Sequence, residues 1–98
     1  MSQYAFCQII SNINNLMAAK NIVDLKGYTL AEWDREGFVG WDKGLGTYFL
    51  QLDIGDPIAW WIIDRGAIPT FQALCSVINK LFNQPEGIFQ FNDIIAKD

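Results

Sequence analysis

The sequence predicts an α+β fold: an N-terminal helix, a three-stranded antiparallel β-meander, and one or two C-terminal helices packed on one sheet face. Three observations carry that expectation. Apolar residues recur at helical spacing near both ends of the chain. Between them, residues 37–63 read GFVGWDKGLGTYFLQLDIGDPIAWWII, a run of β-formers punctuated by glycine turns that holds three of the four tryptophans. A chain of 98 residues also suffices for one hydrophobic core and no more, so residues 1–98 are expected to form a single domain.

The first helix is expected over residues 3 to about 20. Phe6, Ile9, Ile10, Ile13, Leu16 and Met17 recur at three- and four-residue steps, with Gln8, Ser11, Asn12, Asn14 and Asn15 on the other face. Asparagine side chains compete for backbone hydrogen bonds, so tertiary packing must hold this helix. Further on, Thr29-Leu30-Ala31-Glu32 matches the capping-box pattern. It predicts a short helix over Leu30 to Arg35 stopped by Gly37, the alternative being an irregular loop.

The meander is expected to begin with strands Phe38 to Trp41 and Thr47 to Asp53, joined by the loop Asp42-Lys43-Gly44-Leu45-Gly46. On the second strand Tyr48, Leu50 and Leu52 share one face, and Thr47, Phe49, Gln51 and Asp53 share the other. After the turn Ile54-Gly55-Asp56-Pro57, a third strand over Ile58 to Ile63 is apolar on both faces. Such a strand is either covered twice or half of an interface. Thr70 is the expected N-cap of the strongest helix, whose stripe of Phe71, Leu74, Cys75, Ile78, Leu81 and Phe82 ends at Asn83-Gln84-Pro85. Ile88, Phe91 and Ile95 are spaced for one face of a further terminal helix.

Composition narrows the function. The chain has no histidine, which removes Cys–His and Ser–His–Asp catalysis and the usual zinc sites. Two acidic groupings, Glu32, Asp34 and Glu36 with Asp42, and Asp53 with Asp56, read as solvated loop charges rather than a catalytic pair or calcium loop. Gly44-Leu45-Gly46 lacks the third glycine, the lysine and the helix of a phosphate cradle, and reads as a hairpin loop. Seven basic residues are scattered along the chain and the net charge is −4, so direct nucleic-acid binding is not expected. Ile58 to Ile63 is the longest apolar run, too short to span a bilayer. Two cysteines, Cys7 and Cys75, on the apolar sides of helices with no signal peptide ahead of them, point to buried, reduced thiols and a cytoplasmic location.

No enzyme activity and no cofactor or metal are expected. The apolar fraction of 51% is high for a small soluble domain and argues for a partner or self-association surface. Trp60 and Trp61 point to opposite faces of one strand, so one layer of helices cannot cover both. Phe49, Trp61, Trp41 and Trp33 are the candidate partner-binding residues, because large rigid aromatics anchor interfaces at low entropic cost. The expected function is a small, acidic, non-enzymatic protein–protein interaction module, with the profile of an inhibitor or immunity-type antagonist, acting on a protein partner or as a homo-oligomer. The alternative is a small ligand-binding domain with an aromatic pocket between sheet and helices.

Overall fold

A computed structural model describes residues 2–13, 22–55 and 57–97. Its elements run β1 (Ser2–Ala5), a one-turn 3-10 helix (Phe6–Gln8), β2 (Ile10–Ile13), α1 (Leu30–Glu36), β3 (Gly37–Asp42), β4 (Thr47–Leu52), β5 (Trp60–Ile62), α2 (Phe71–Leu81) and β6 (Phe89–Phe91). The strands form two antiparallel sheets, one of four strands in the order β1-β3-β4-β5 and one pairing β2 with β6. The expected α+β arrangement of a helix followed by a three-stranded meander is therefore replaced by a mostly β architecture, in which the chain's first strand extends the main sheet.

The expected N-terminal helix is not formed over residues 3–13, and residues 14–20 lie outside the described residues. Isoleucine and asparagine are poor helix formers, and isoleucine packs well on a pleated sheet. The apparent helical spacing has a different cause. Phe6 and Ile9 both turn inward because they sit three residues apart around a 3-10 corner, whose period is three. The Gln8 side-chain oxygen Oε1 closes that corner by accepting the Ala5 N–H at 2.9 Å. β1 then pairs with β3 in the register Tyr4↔Val39, and β2 pairs with β6 in the register Ile13↔Phe89.

The terminal helix is likewise a strand. Phe89 and Phe91 alternate on β6, and residues 92–97 carry no regular structure. The tail still packs: Ile95 is buried, and Lys97 lies 4.5 Å from the Trp41 ring centroid while its Nζ donates to the Pro69 carbonyl at 3.2 Å.

Local signals place the two α-helices. In α1 the Thr29 hydroxyl accepts the Glu32 N–H at 3.2 Å, and the Glu32 carboxylate accepts the Thr29 N–H at 3.0 Å. In α2 the Thr70 hydroxyl accepts the Ala73 N–H at 3.0 Å, and Leu74, Ile78 and Leu81 are buried. The core between α2 and the main sheet is strongly aromatic. Phe6, Trp33 and Phe82 meet pairwise with centroids 4.9 to 6.0 Å apart, and Phe82 continues to Phe89 at 5.8 Å. Below the end of β5, the buried Thr47 hydroxyl accepts the Ile68 N–H at 2.9 Å and the Tyr48 N–H donates to the Ile68 carbonyl at 2.9 Å. Residues 66–68 thus continue along β4 where β5 has ended.

Candidate interaction surface

The surface is built around a buried carboxylate that the sequence reading passed over. Asp24 opens a tight loop in which its own N–H donates to the Tyr28 carbonyl at 2.8 Å and the Gly27 N–H donates to the Asp24 carbonyl at 3.0 Å. Gly27 has φ +90°, a conformation that disfavours any residue with a Cβ. The Asp24 side chain is buried and accepts four hydrogen bonds. Oδ1 takes the backbone N–H groups of Lys26 at 2.8 Å and Tyr28 at 3.0 Å. Oδ2 takes the indole N–H groups of Trp33 and Trp60, each at 2.8 Å. Four donors match the four lone-pair positions of an ionised carboxylate, which offsets the cost of removing it from water. The signal was present as Asp24-Leu25-Lys26-Gly27, since aspartate three residues before glycine marks a type I turn.

This loop clasps β5. Trp60 is held by Asp24, and the Lys26 ammonium donates to the Ala59 carbonyl while sitting 4.2 Å from the Trp60 ring centroid. With Trp60 fixed towards the core side, the pleat turns Trp61 to the opposite face, where it is 57% exposed. β5 is also an edge strand, paired only with β4 among the described residues. Leu25 at the loop tip is 68% exposed, and Val23 at the start of the loop and Ile58, just before Ala59 and β5, are exposed as well. Four of the five large apolar side chains most exposed among the described residues therefore belong to this loop–strand junction, the fifth being Ile94.

The four aromatics expected to bind a partner are separated by the fold. Trp33 is fully buried in the core, its indole N–H committed to Asp24. Phe49 is only 3% exposed, although it lies on the sheet face opposite Leu50. It stands across from Gly40, so no side chain competes for the space on that strand, and β4 is buried on both faces rather than wet on one. Trp41 is half-buried, with Tyr48 edge-on at 4.9 Å and Lys97 over its ring, so its faces are occupied. Only Trp61 remains available.

The expected thiol burial holds in part. Cys75 is half-buried on α2, and burial, followed by the nearby Asp93 charge, pushes its thiol up to about 11. Burial is also the main reason Tyr48 titrates above its ordinary value, with Asp93 and Cys75 adding to it. Cys7 is exposed in the 3-10 corner instead of facing a core, because the helix that would have turned it inward is not there.

Two members of the acidic groupings have structural partners. Glu32 closes the α1 cap and Asp42 Oδ1 accepts the Leu45 N–H at 3.1 Å in the β3–β4 turn, while Asp56 lies outside the described residues. Among the described residues, no group of three or more His, Cys, Asp or Glu side chains could hold a metal ion, and no helix is long and apolar enough to cross a membrane. Comparison with protein-family models, curated proteins and solved structures finds no match to this chain.

Proposed function

We propose that this protein is a non-enzymatic protein–protein interaction module whose contact surface is centred on Trp61. The observation that carries the reading is the contrast between adjacent tryptophans. Trp60 is hydrogen-bonded and covered by Lys26, while Trp61 projects from an edge strand with more than half its surface in water. A small domain that buries Trp33 completely has no need of a second tryptophan outside, and an exposed rigid indole on an edge strand has the composition of an interface anchor. Among the described residues the short strand β5 pairs only with β4, which leaves an edge to which a partner strand could pair. The finer reading, an inhibitor or immunity-type antagonist, rests on small size, acidic charge and the lack of histidine.

The test compares wild type with Trp61→Ala. Wild type is followed by sedimentation over a concentration series and by capture from the source organism's extract, with thermal melting of both proteins alongside. The expected result is self-association or a defined captured protein that weakens by more than about 1 kcal/mol in Trp61→Ala, with the melting curve nearly unchanged. A variant that keeps every association of the wild type, or that melts far below it, would show Trp61 to be structural.

A further inference from the structure

We propose that the groove between α2 and β6 binds a small organic cation, an amidinium- or guanidinium-type group carried on a flat apolar body. The groove has a volume of about 450 Å³, within the range of about 300–1,000 Å³ used for small molecules. One wall is the side of α2 that carries Gln72, Cys75, Ser76 and Asn79, and the other is formed by Phe89 and Phe91, with Glu86 at the turn between. A smaller cavity of about 250 Å³ adjoins it and shares Ser76, Asn79 and Glu86.

Asn79 is the observation that points to a ligand. It is only 8% exposed, and its side-chain Oδ1 is buried with no hydrogen-bond partner. Its backbone carbonyl, by contrast, is satisfied by the Gln84 N–H at 2.8 Å. A folded chain rarely leaves a buried amide oxygen without a donor, because its lost hydration is then uncompensated. The chemistry of the donor follows from the rest of the lining. Asn79 Oδ1, the Glu86 carboxylate and the Phe89 and Phe91 rings all attract positive charge or N–H groups, and among the described residues no lysine or arginine lines the larger cavity, Lys80 standing at the smaller one. Asp93 lies close enough to Cys75 to add to the negative potential there. A ligand without N–H groups would leave these acceptors unmatched, an anionic one would be repelled by Glu86, and a neutral donor would forgo the charge-assisted bond. A planar cation with several N–H groups satisfies them together, its flat body meeting the aromatic wall.

The experiment uses benzamidine as probe, with benzamide as the neutral and benzoate as the anionic counterpart, each titrated into the full chain by calorimetry and amide-resolved NMR. Saturable benzamidine binding is expected, with shifts at Asn79, Phe89 and Glu86. Benzamide should bind at least about tenfold more weakly and benzoate not at all, as expected when a charge-assisted hydrogen bond is lost. Glu86→Gln, at the exposed turn, should weaken benzamidine several-fold without lowering the melting temperature. Asn79→Leu should abolish binding and melt above wild type in the absence of probe, because it removes an orphaned buried polar atom. Equal binding of the three probes, no binding of benzamidine, or an Asn79→Leu variant that melts lower than wild type would each overturn the assignment. So would tighter binding of N-acetyl-arginine amide than of benzamidine, which would transfer the site to a peptide side chain.

Discussion

Asp24 and Trp33, nine positions apart, are joined inside the core by a 2.8 Å hydrogen bond from the indole nitrogen to Oδ2. The same oxygen also takes the indole N–H of Trp60, so one carboxylate ties α1, the 24–28 loop and β5 together. Asp24→Asn tests whether acceptance alone is what the site requires. An amide offers one acceptor oxygen, and its NH₂ must then face either the two indole donors or the two backbone donors. Stranding buried donors costs about 1–3 kcal/mol each, so the variant should lose about 3 kcal/mol in urea denaturation followed by tryptophan fluorescence. An unmoved midpoint would show that the carboxylate is not needed as a double acceptor.

Trp60 and Trp61 separate the same way in stability. Trp60→Phe keeps most of the ring but deletes the donor to Asp24, and should cost about 1.5–3 kcal/mol as the loss of a hydrogen bond to a charged group. Trp61→Ala, at an exposed position, should stay within about 0.5 kcal/mol of wild type. Chemical denaturation of the two variants side by side decides it, and equal losses would mean that both indoles are core.

Ile78 sits mid-helix on α2 and is fully buried. Truncation there removes three methyl or methylene groups and leaves a cavity, so Ile78→Ala should cost about 2–5 kcal/mol. Against a usual total of about 5–15 kcal/mol, the variant should sit near the edge of folding. A melting temperature within a degree or two of wild type would show that the site collapses around the smaller side chain.

What was readable in the sequence was what is written locally. Thr29 with Glu32, and Thr70 with the stripe from Phe71 to Leu81, state their helices within a dozen residues, and glycines 44 and 46 mark the β3–β4 turn. β1, β2 and β6 could not be read this way, because each is a strand only through a partner far along the chain: Tyr4 opposite Val39, Ile13 opposite Phe89. A 3-10 corner imitated a helical stripe at Phe6 and Ile9, which turned two strands into one expected helix. Trp61 was legible as an exposed aromatic because adjacent strand residues must face opposite ways. Phe49 was not, because polar neighbours on its face suggested water where the fold buries β4 on both sides.

The cysteines give a labelling test. Cys7, exposed, should react with a thiol reagent within the mixing and incubation time of an ordinary assay, while half-buried Cys75 reacts slowly. The Cys75 rate should climb with pH until about 11, since burial and Asp93 disfavour its thiolate. The sign for stability follows. The folded state holds this proton more tightly than the unfolded chain, so stability falls as pH rises from the ordinary thiol value of 9.0 towards 11. Cys75→Ser, whose hydroxyl does not ionise there, should flatten that part of the profile. Mass-resolved labelling that finds Cys75 reacting as fast as Cys7 would contradict the burial.

Gly37 is the point where α1 ends and β3 begins, and its requirement is space rather than backbone freedom. Its φ of −93° suits any residue, and its N–H donates to the Trp33 carbonyl to close the helix. A Cβ placed there would press into that carbonyl oxygen and stand 2.7 Å from Cε3 of the Trp33 ring and 3.0 Å from the Phe6 Cβ. Neither backbone nor packed indole can yield cheaply, because Trp33 is locked between Phe6, Phe82 and the Asp24 carboxylate. Gly37→Ala should therefore cost about 1–3 kcal/mol through overpacking, despite adding one methyl and favouring no other backbone shape. Gly44→Ala is the comparison, since its Cβ would meet only the Asp42 carboxylate at 3.3 Å, and it should change stability by about 0.5 kcal/mol or less. Near-ultraviolet circular dichroism should register the displaced indole in Gly37→Ala and not in Gly44→Ala. If the two variants denature together with unchanged aromatic spectra, the α1–β3 junction has slack, and the close packing of Trp33 against Gly37 does not set the angle between helix and sheet.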